Sequence, residues 1–243
     1  AALRARVARF VHTSTVATIA VPRGNVLPDE TNRASVDEMI GNYKRSKLLA
    51  EQEALRAAHE GLPVVIANPT TPVGPGDWKP TPTGRIILDF LLGRMPAYVD
   101  TGLNFAPVED VAEGHLLAAE RGKIGERYLL GGRNMTLKEL LDALARITGL
   151  AAPSRRIPHS VALIAACADA AYSRVTRREP RIPVEGVRIA RHKMFVNDAK
   201  ARKELGYQPG AVETALERAV RWYFENGYVA HAKSAPVAQV SAA

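Results

Sequence analysis

Cysteine is nearly absent from this chain: Cys167 is the single one among 243 residues. No disulfide can form within the chain, which suits a reducing compartment, and a cytoplasmic location is expected. Aromatic residues are sparse at 6% and are not interleaved with the basic ones. The formal net charge of +8 therefore does not read as a nucleic-acid surface. Basic residues are spread out, with small groups at Arg155-Arg156, Arg177-Arg178 and Arg188 to Lys193. Acidic or phosphorylated small molecules, or a membrane surface, account for that charge equally well. Long hydrophobic runs are also lacking. The stretch SVALIAACADAAY holds Cys167 and Asp169 and is too short to span a bilayer, so no transmembrane segment is expected and Cys167 is expected to be a buried, inert thiol. There is no signal-peptide pattern, no His/Cys cluster suited to a metal and no G-x-S-x-G elbow.

What the chain does have is 47% hydrophobic residues, enough for a packed core. AALRARVARF starts in mid-helix, without a cap, and runs into ARFVHTSTVATI, a β-branched strand pattern. Residues 42–59 have helical periodicity, and LPVVIANP, wholly apolar, predicts a strand buried on both faces. PVGPGDWKPTPTG is a loop, TGRIILDFLLGRM a helix, MPAYVD a short strand, PVEDVAEGHLLAAERG a helix and GERYLLGG a strand. In NMTLKELLDALARITG, Thr136 and Glu139 form a capping box and Gly149 ends the helix. The alternation predicts an α/β fold with a parallel sheet. Beyond residue 150 helices dominate, at 158–173, 183–191, 197–205 and 212–226, which suggests a smaller, mainly helical lobe over 151–228 and a loose tail over 229–243.

One pair of residues points to chemistry. In GNYKRSKLLAEQ, Tyr43 and Lys47 stand four apart on the same helix face. An ammonium near a phenol favours the phenolate, and such a phenol can exchange a proton with an oxygen whose carbon exchanges hydride. The spacing alone is weak: chance gives about one such pair in four chains of this composition. The ordinary alternative is a solvated face with a Lys47–Glu51 ion pair. The setting favours chemistry. Thr13, Ser14 and Thr15 crowd the far end of one strand, NPTTPVGP ends another, and ligands of open parallel sheets sit beyond such carboxyl ends.

The segments HTSTVAT, YKRSK, ANPTTPVGP, PVEDVAEGH, RYLLGG with NMTLKEL, and NDAKARKELGYQP resemble, in order, the extended short-chain dehydrogenase/reductase superfamily. Within it MIGNYKRSKLLAEQ and NPTTPVGPGDWKPTPTGRIILDFLLGRMPAYVDTGLN are similar to the dihydroflavonol reductase-like branch and to hopanoid-associated sugar epimerases. The resemblance implies a Rossmann-like, doubly wound sheet over residues 1–150, with interleaved substrate-lobe segments. It implies NAD or NADP as cofactor and a sugar-like or polyol substrate, and it allows a homodimer. By the same resemblance Tyr43 is the acid/base, Lys47 lowers its pKa and bonds the nicotinamide ribose, and Thr15, with Ser14 as rival, positions the substrate. Pro69, Thr71 and Pro72 would line the nicotinamide.

Where that family more usually has a His before two acids, this chain has Pro107-Val108-Glu109-Asp110. The glycine-rich cofactor turn is also missing: Gly74-Pro75-Gly76 leads to Lys79 and prolines. The resemblance thus implies that an N-terminal segment of the family is lacking, and that the chain alone binds NAD(P) weakly and aggregates. Epimerase and reductase remain open, and a non-catalytic nucleotide sensor or an inactive fragment is the rival class. A structural role is expected of His12 and His115, helix capping of Glu109 and Asp110, and a solvated face of Arg188, Arg191, His192 and Lys193.

Overall fold

The computed structural model describes residues 1–22, 26–39, 41–178, 180 and 183–229. One helical turn, α1 (Ala2–Ala5), precedes β1 (Phe10–Thr13), α2 (Asn42–His59), β2 (Val64–Pro69) and β3 (Thr71–Val73). Next come α3 (Pro82–Leu91), β4 (Gly102–Pro107), α4 (Val108–Arg121), β5 (Arg127–Leu130), β6 (Arg133–Thr136) and α5 (Leu137–Thr148). The remainder is helical: α6 (His159–Thr176), α7 (Val184–Ile189), α8 (Ala199–Leu205) and α9 (Val212–Glu225). Contacts divide the chain into two compact units. The first takes residues 1–72, 104–134 and 194–212, the second 73–103, 135–193 and 213–243.

The first unit is built on a parallel sheet in the order β1-β2-β5. Phe10 stands opposite Val64 and Thr13 opposite Ala67, while Pro69 stands opposite Leu130. The central strand is apolar because both its faces are covered. Val64 and Ile66 pack with Ala54, Leu55 and Ala58 of α2. Val65 and Ala67 pack on the other face with Val111, Leu117 and Ala118 of α4 and with Ala201 and Leu205 of α8. Full burial of side chains of this size stabilises by about 1.5–3 kcal/mol each, so this layer is the energetic centre of the unit. Helices on both faces of a parallel sheet are the doubly wound, Rossmann-like arrangement expected.

β3, β4 and β6 pair in that order in a second sheet. In the second unit α5 carries the expected capping box, with Thr136 Oγ1 accepting from Glu139 N–H at 3.2 Å and Gly149 closing the helix at φ 72°. α3 packs on α5 and α7 on α6.

Four expectations are corrected. The long strand ARFVHTSTVATI is only Phe10–Thr13; Ser14 and Thr18 are drawn by hydroxyl bonds to Glu51, and the chain turns into a 3-10 turn over Val16–Thr18. The strand placed at 95–100 lies instead at Gly102–Pro107, and Tyr98 makes only an isolated bridge with Arg156. Polar Asn104 masked that strand; it is buried but paired, accepting from Gly132 N–H at 2.9 Å and donating to Asn134 Oδ1 at 2.8 Å. The stretch from Pro72 read as a loop begins instead within β3, which takes Thr71–Val73. Cys167 is exposed, because α6 turns Ala162, Ala166 and Ser173 inward. Of the tail at 229–243, Val229 is buried and the rest lies outside the described residues. Among the described residues no helix is long and apolar enough to cross a membrane.

Candidate active site

The residues singled out around Tyr43 all fall in the first unit. Helix α2 is entered through Gly41 at φ 87°, a backbone angle that a side chain resists. That entry sets Tyr43 in the first turn, 61% exposed, with its phenol open to solvent. One turn on, half-buried Lys47 donates from Nζ to the carbonyl of Thr13 at 2.9 Å. The expected alternative, an ion pair with Glu51, is not what the lysine makes. Glu51 turns inward and pairs with Arg127 at 3.0 Å, both side chains almost fully buried. Lys47 thereby brings α2 against the carboxyl end of β1, the end where ligands of parallel sheets bind.

The two candidate hydroxyls there are not equivalent. Ser14 is buried and donates to Glu51 Oε2. Thr15 accepts from Ala17 N–H at 3.2 Å, which leaves its own hydroxyl proton for another partner. The backbone around Thr15 is held: its carbonyl accepts from Thr18 Oγ1 at 2.9 Å and from Asn68 Nδ2 at 3.1 Å. Asn68 directly precedes Pro69, so the ends of β1 and β2 are cross-linked by side chains. Thr71 opens β3 half-buried and Pro72 is exposed.

Reasoning from the sequence missed the network behind this surface. Glu51 Oε2 accepts from Ser14, from Thr18 at 2.8 Å and from Asn68 at 2.9 Å, while Oε1 takes Arg127. Arg127 also donates to the carbonyl of Glu30, whose carboxylate accepts from Leu129 N–H at 2.7 Å. Burial pushes the Glu30 carboxyl above its ordinary range, and the bond from Leu129 opposes that only in part. A signal was available: Glu51 lies at the inward spacing of Leu48 and Ala54, and Arg127 opens the otherwise apolar strand RYLL.

His12, paired with Ile66 on β1, has its pKa held down by burial first and by the Lys47 ammonium second, against the pull of Glu51. Its Nε2 and the Oδ1 of Asn68 are buried without a partner. His115 is tied into the protein: Nδ1 donates to the Val111 carbonyl at 2.7 Å, which leaves Nε2 to accept from Thr13 Oγ1 at 3.1 Å. Asp110 accepts from Gly210 N–H at 2.7 Å and so anchors the segment after α8 to α4. Within the second unit Lys193 pairs with Asp100 at 3.3 Å, while Arg188, Arg191 and His192 are exposed.

Comparisons with known proteins give the chain's family. The model of the NAD dependent epimerase/dehydratase family matches residues 1–131. The chain belongs to that family. A Synechocystis protein that carries the name dihydroflavonol 4-reductase is 46% identical over 94% of this chain and 68% of its own length. Sterol demethylase protein B of Methylococcus capsulatus is 36% identical over 94% of this chain and 70% of its own. The crystal structure of a nucleoside-diphosphate-sugar epimerase from Pseudomonas aeruginosa superposes with a TM-score of 0.77 at 31% identity, covering 94% of this chain and 70% of that one.

The family's cofactor is NAD, and the donor set fits one half of it. The Lys47 ammonium has three donors, of which Thr13 takes one, and the Tyr43 phenol stands free nearby on the same helix face. A pyrophosphate finds less. Gly74 and Gly76 follow β3, but α3 begins only at Pro82, and its first turn is capped from within by Thr81, which accepts from Gly84 N–H at 3.1 Å. Among the described residues no glycine turn leads directly from a strand into an open helix N-terminus.

Proposed function

We propose that this chain carries the acid/base and substrate-orienting machinery of an NAD(P)-dependent epimerase or reductase acting at a carbinol or ketone carbon. The observation that carries the reading is the bond from Lys47 to the Thr13 carbonyl, which ties α2, one turn after Tyr43, to the last residue of β1, two residues before Thr15. Thr15 donates its free hydroxyl proton to the substrate oxygen and fixes its place. Tyr43 takes the proton of the carbinol as the carbonyl forms, or returns one as the carbonyl is reduced. Lys47 bonds the ribose hydroxyls with its remaining donors. Pro69 and the chain at Thr71 and Pro72 flank the nicotinamide. NAD, when bound, supplies the hydride acceptor and donor at the reacting carbon.

The relatives bear on the substrate. One is named for reducing a dihydroflavonol, one for sterol demethylation, one as a nucleoside-diphosphate-sugar epimerase. A sugar-like or polyol substrate, in the formation of polycyclic lipids such as hopanoids, fits that range. We place the protein in the cytoplasm, where a lone thiol stays reduced, and as a homodimer. Steady change of absorbance by reduced cofactor in the presence of substrate identifies a reductase; isomerised product without it identifies an epimerase. Tyr43→Phe should lower turnover in either case by at least about a hundredfold while leaving the melting temperature nearly unchanged. Turnover equal to the parent's would remove Tyr43 from the mechanism.

A further inference from the structure

Helix α6 of the second unit is built inside out. The side it packs inward consists of Ala162, Ala166 and Ser173. The side it turns outward carries the large apolar residues: Val161 is 48% exposed, Ile164 71%, Tyr172 61% and Val175 84%. With Ala168 these fall at spacings of three and four, so they form one narrow stripe along about four turns of helix. A surface helix of a water-exposed protein has the reverse order, and an apolar stripe left in water marks an interaction site.

The charges around the stripe say which kind. Exposed Arg174 stands in the last turn of α6, Arg177 ends the helix and exposed Arg178 follows it, and α7, packed against α6, adds exposed Arg188, with Arg191 just beyond. The acidic residues of the two helices are Asp169 and Glu185. An apolar face bordered by arginines, on a helix that is not apolar enough to span, is the pattern of a helix that lies in the plane of a membrane interface. There the apolar side chains enter the acyl boundary, and the arginines reach the headgroup phosphates along their own apolar stems. A protein partner would need a matching apolar groove and an acidic rim; an anionic bilayer presents both properties over any area.

We propose that α6 docks the protein on an anionic lipid surface through Val161, Ile164, Tyr172 and Val175, with Arg174 and Arg178 contacting phosphate. This goes beyond the reading of the active site and does not depend on the substrate.

Vesicle flotation of the whole protein tests it, with phosphatidylcholine vesicles set against vesicles holding roughly a third phosphatidylglycerol. The protein should float with the anionic vesicles and stay behind with the neutral ones. Ile164→Glu with Val175→Glu should weaken binding by at least about a hundredfold. Both positions are exposed, so circular dichroism and melting should not change. Arg174→Gln and Arg178→Gln should each weaken binding by about fivefold and flatten its dependence on salt. Flotation that is absent, equal with both vesicle types, or unchanged by the double glutamate variant overturns the proposal. So does a concentration-dependent dimer in sedimentation that the same variant dissociates, since the stripe would then be covered by a second copy of the chain.

Discussion

Ser14 and Thr15 are adjacent hydroxyls just beyond the end of β1, and their hydrogen bonds give them different futures. Ser14 donates its single proton to buried Glu51, whereas Thr15 uses only a lone pair, toward Ala17 N–H. Thr15→Ser keeps that geometry and should keep most of the turnover, while Thr15→Val removes the donor and should lower turnover by about a hundredfold, mainly in kcat. Ser14→Ala should act on stability instead, by about 1–3 kcal/mol, because it takes one of several donors from a buried carboxylate. Steady-state kinetics and urea titration of the three variants check this. Greater loss of turnover in Ser14→Ala than in Thr15→Val would move the substrate contact one residue back. The pair Tyr43 and Lys47 was singled out by spacing and setting, whereas the choice between Thr15 and Ser14 rested on resemblance. A strand pattern does not say which hydroxyl a distant carboxylate will bind.

Between elements the same limit appears as buried polar pairing. The apolar strand β2, the helices over 42–59 and 108–121 and the capped helix α5 were readable because each obeys one local rule: a continuous apolar run, a helical period, a capping box. The strand at Gly102–Pro107 broke the rule with Asn104, and β6 broke it with Arg133 and Asn134. Glu51 and Arg127 break it most deeply, since they lie 76 residues apart and join α2 to β5 beneath the candidate site. Glu51→Gln leaves the Arg127 guanidinium buried without a counter-charge and should destabilise by about 3–5 kcal/mol. Arg127→Gln in the same chain should recover part of that loss, so the double change should cost less than the sum of the singles. Denaturant midpoints of the four proteins measure the coupling. Additive effects would mean that the two side chains act independently, and the joint between α2 and β5 would then rest on apolar packing alone.

Across the whole chain, buried phenols set how the fold should respond to alkali. Tyr128 and Tyr207 are buried in the first unit and Tyr223 in the second. Their hydroxyls donate to Glu204 at 3.0 Å, to the Gly131 carbonyl at 2.8 Å and to Asp77 at 3.1 Å. Burial is the first cause of a raised pKa in each case: Tyr128 is pushed up to about 12, and Tyr207 and Tyr223 shift in the same direction, helped by nearby Asp110 and Asp77 respectively. A phenol whose pKa is higher in the folded state than the ordinary 10 contributes stability that is whole below pH 10. Above that pH the unfolded chain releases its proton while the folded one keeps it, so the contribution falls as pH climbs toward the folded value. The melting temperature should therefore decline above about pH 10, and the tyrosinate absorbance of the buried three should appear only as the far-ultraviolet dichroism collapses. Tyr128→Phe keeps the ring but has no proton to lose, so the decline in the first unit should become shallower. Ionisation of Tyr128, Tyr207 and Tyr223 with secondary structure retained would show that water reaches these phenols in the folded state.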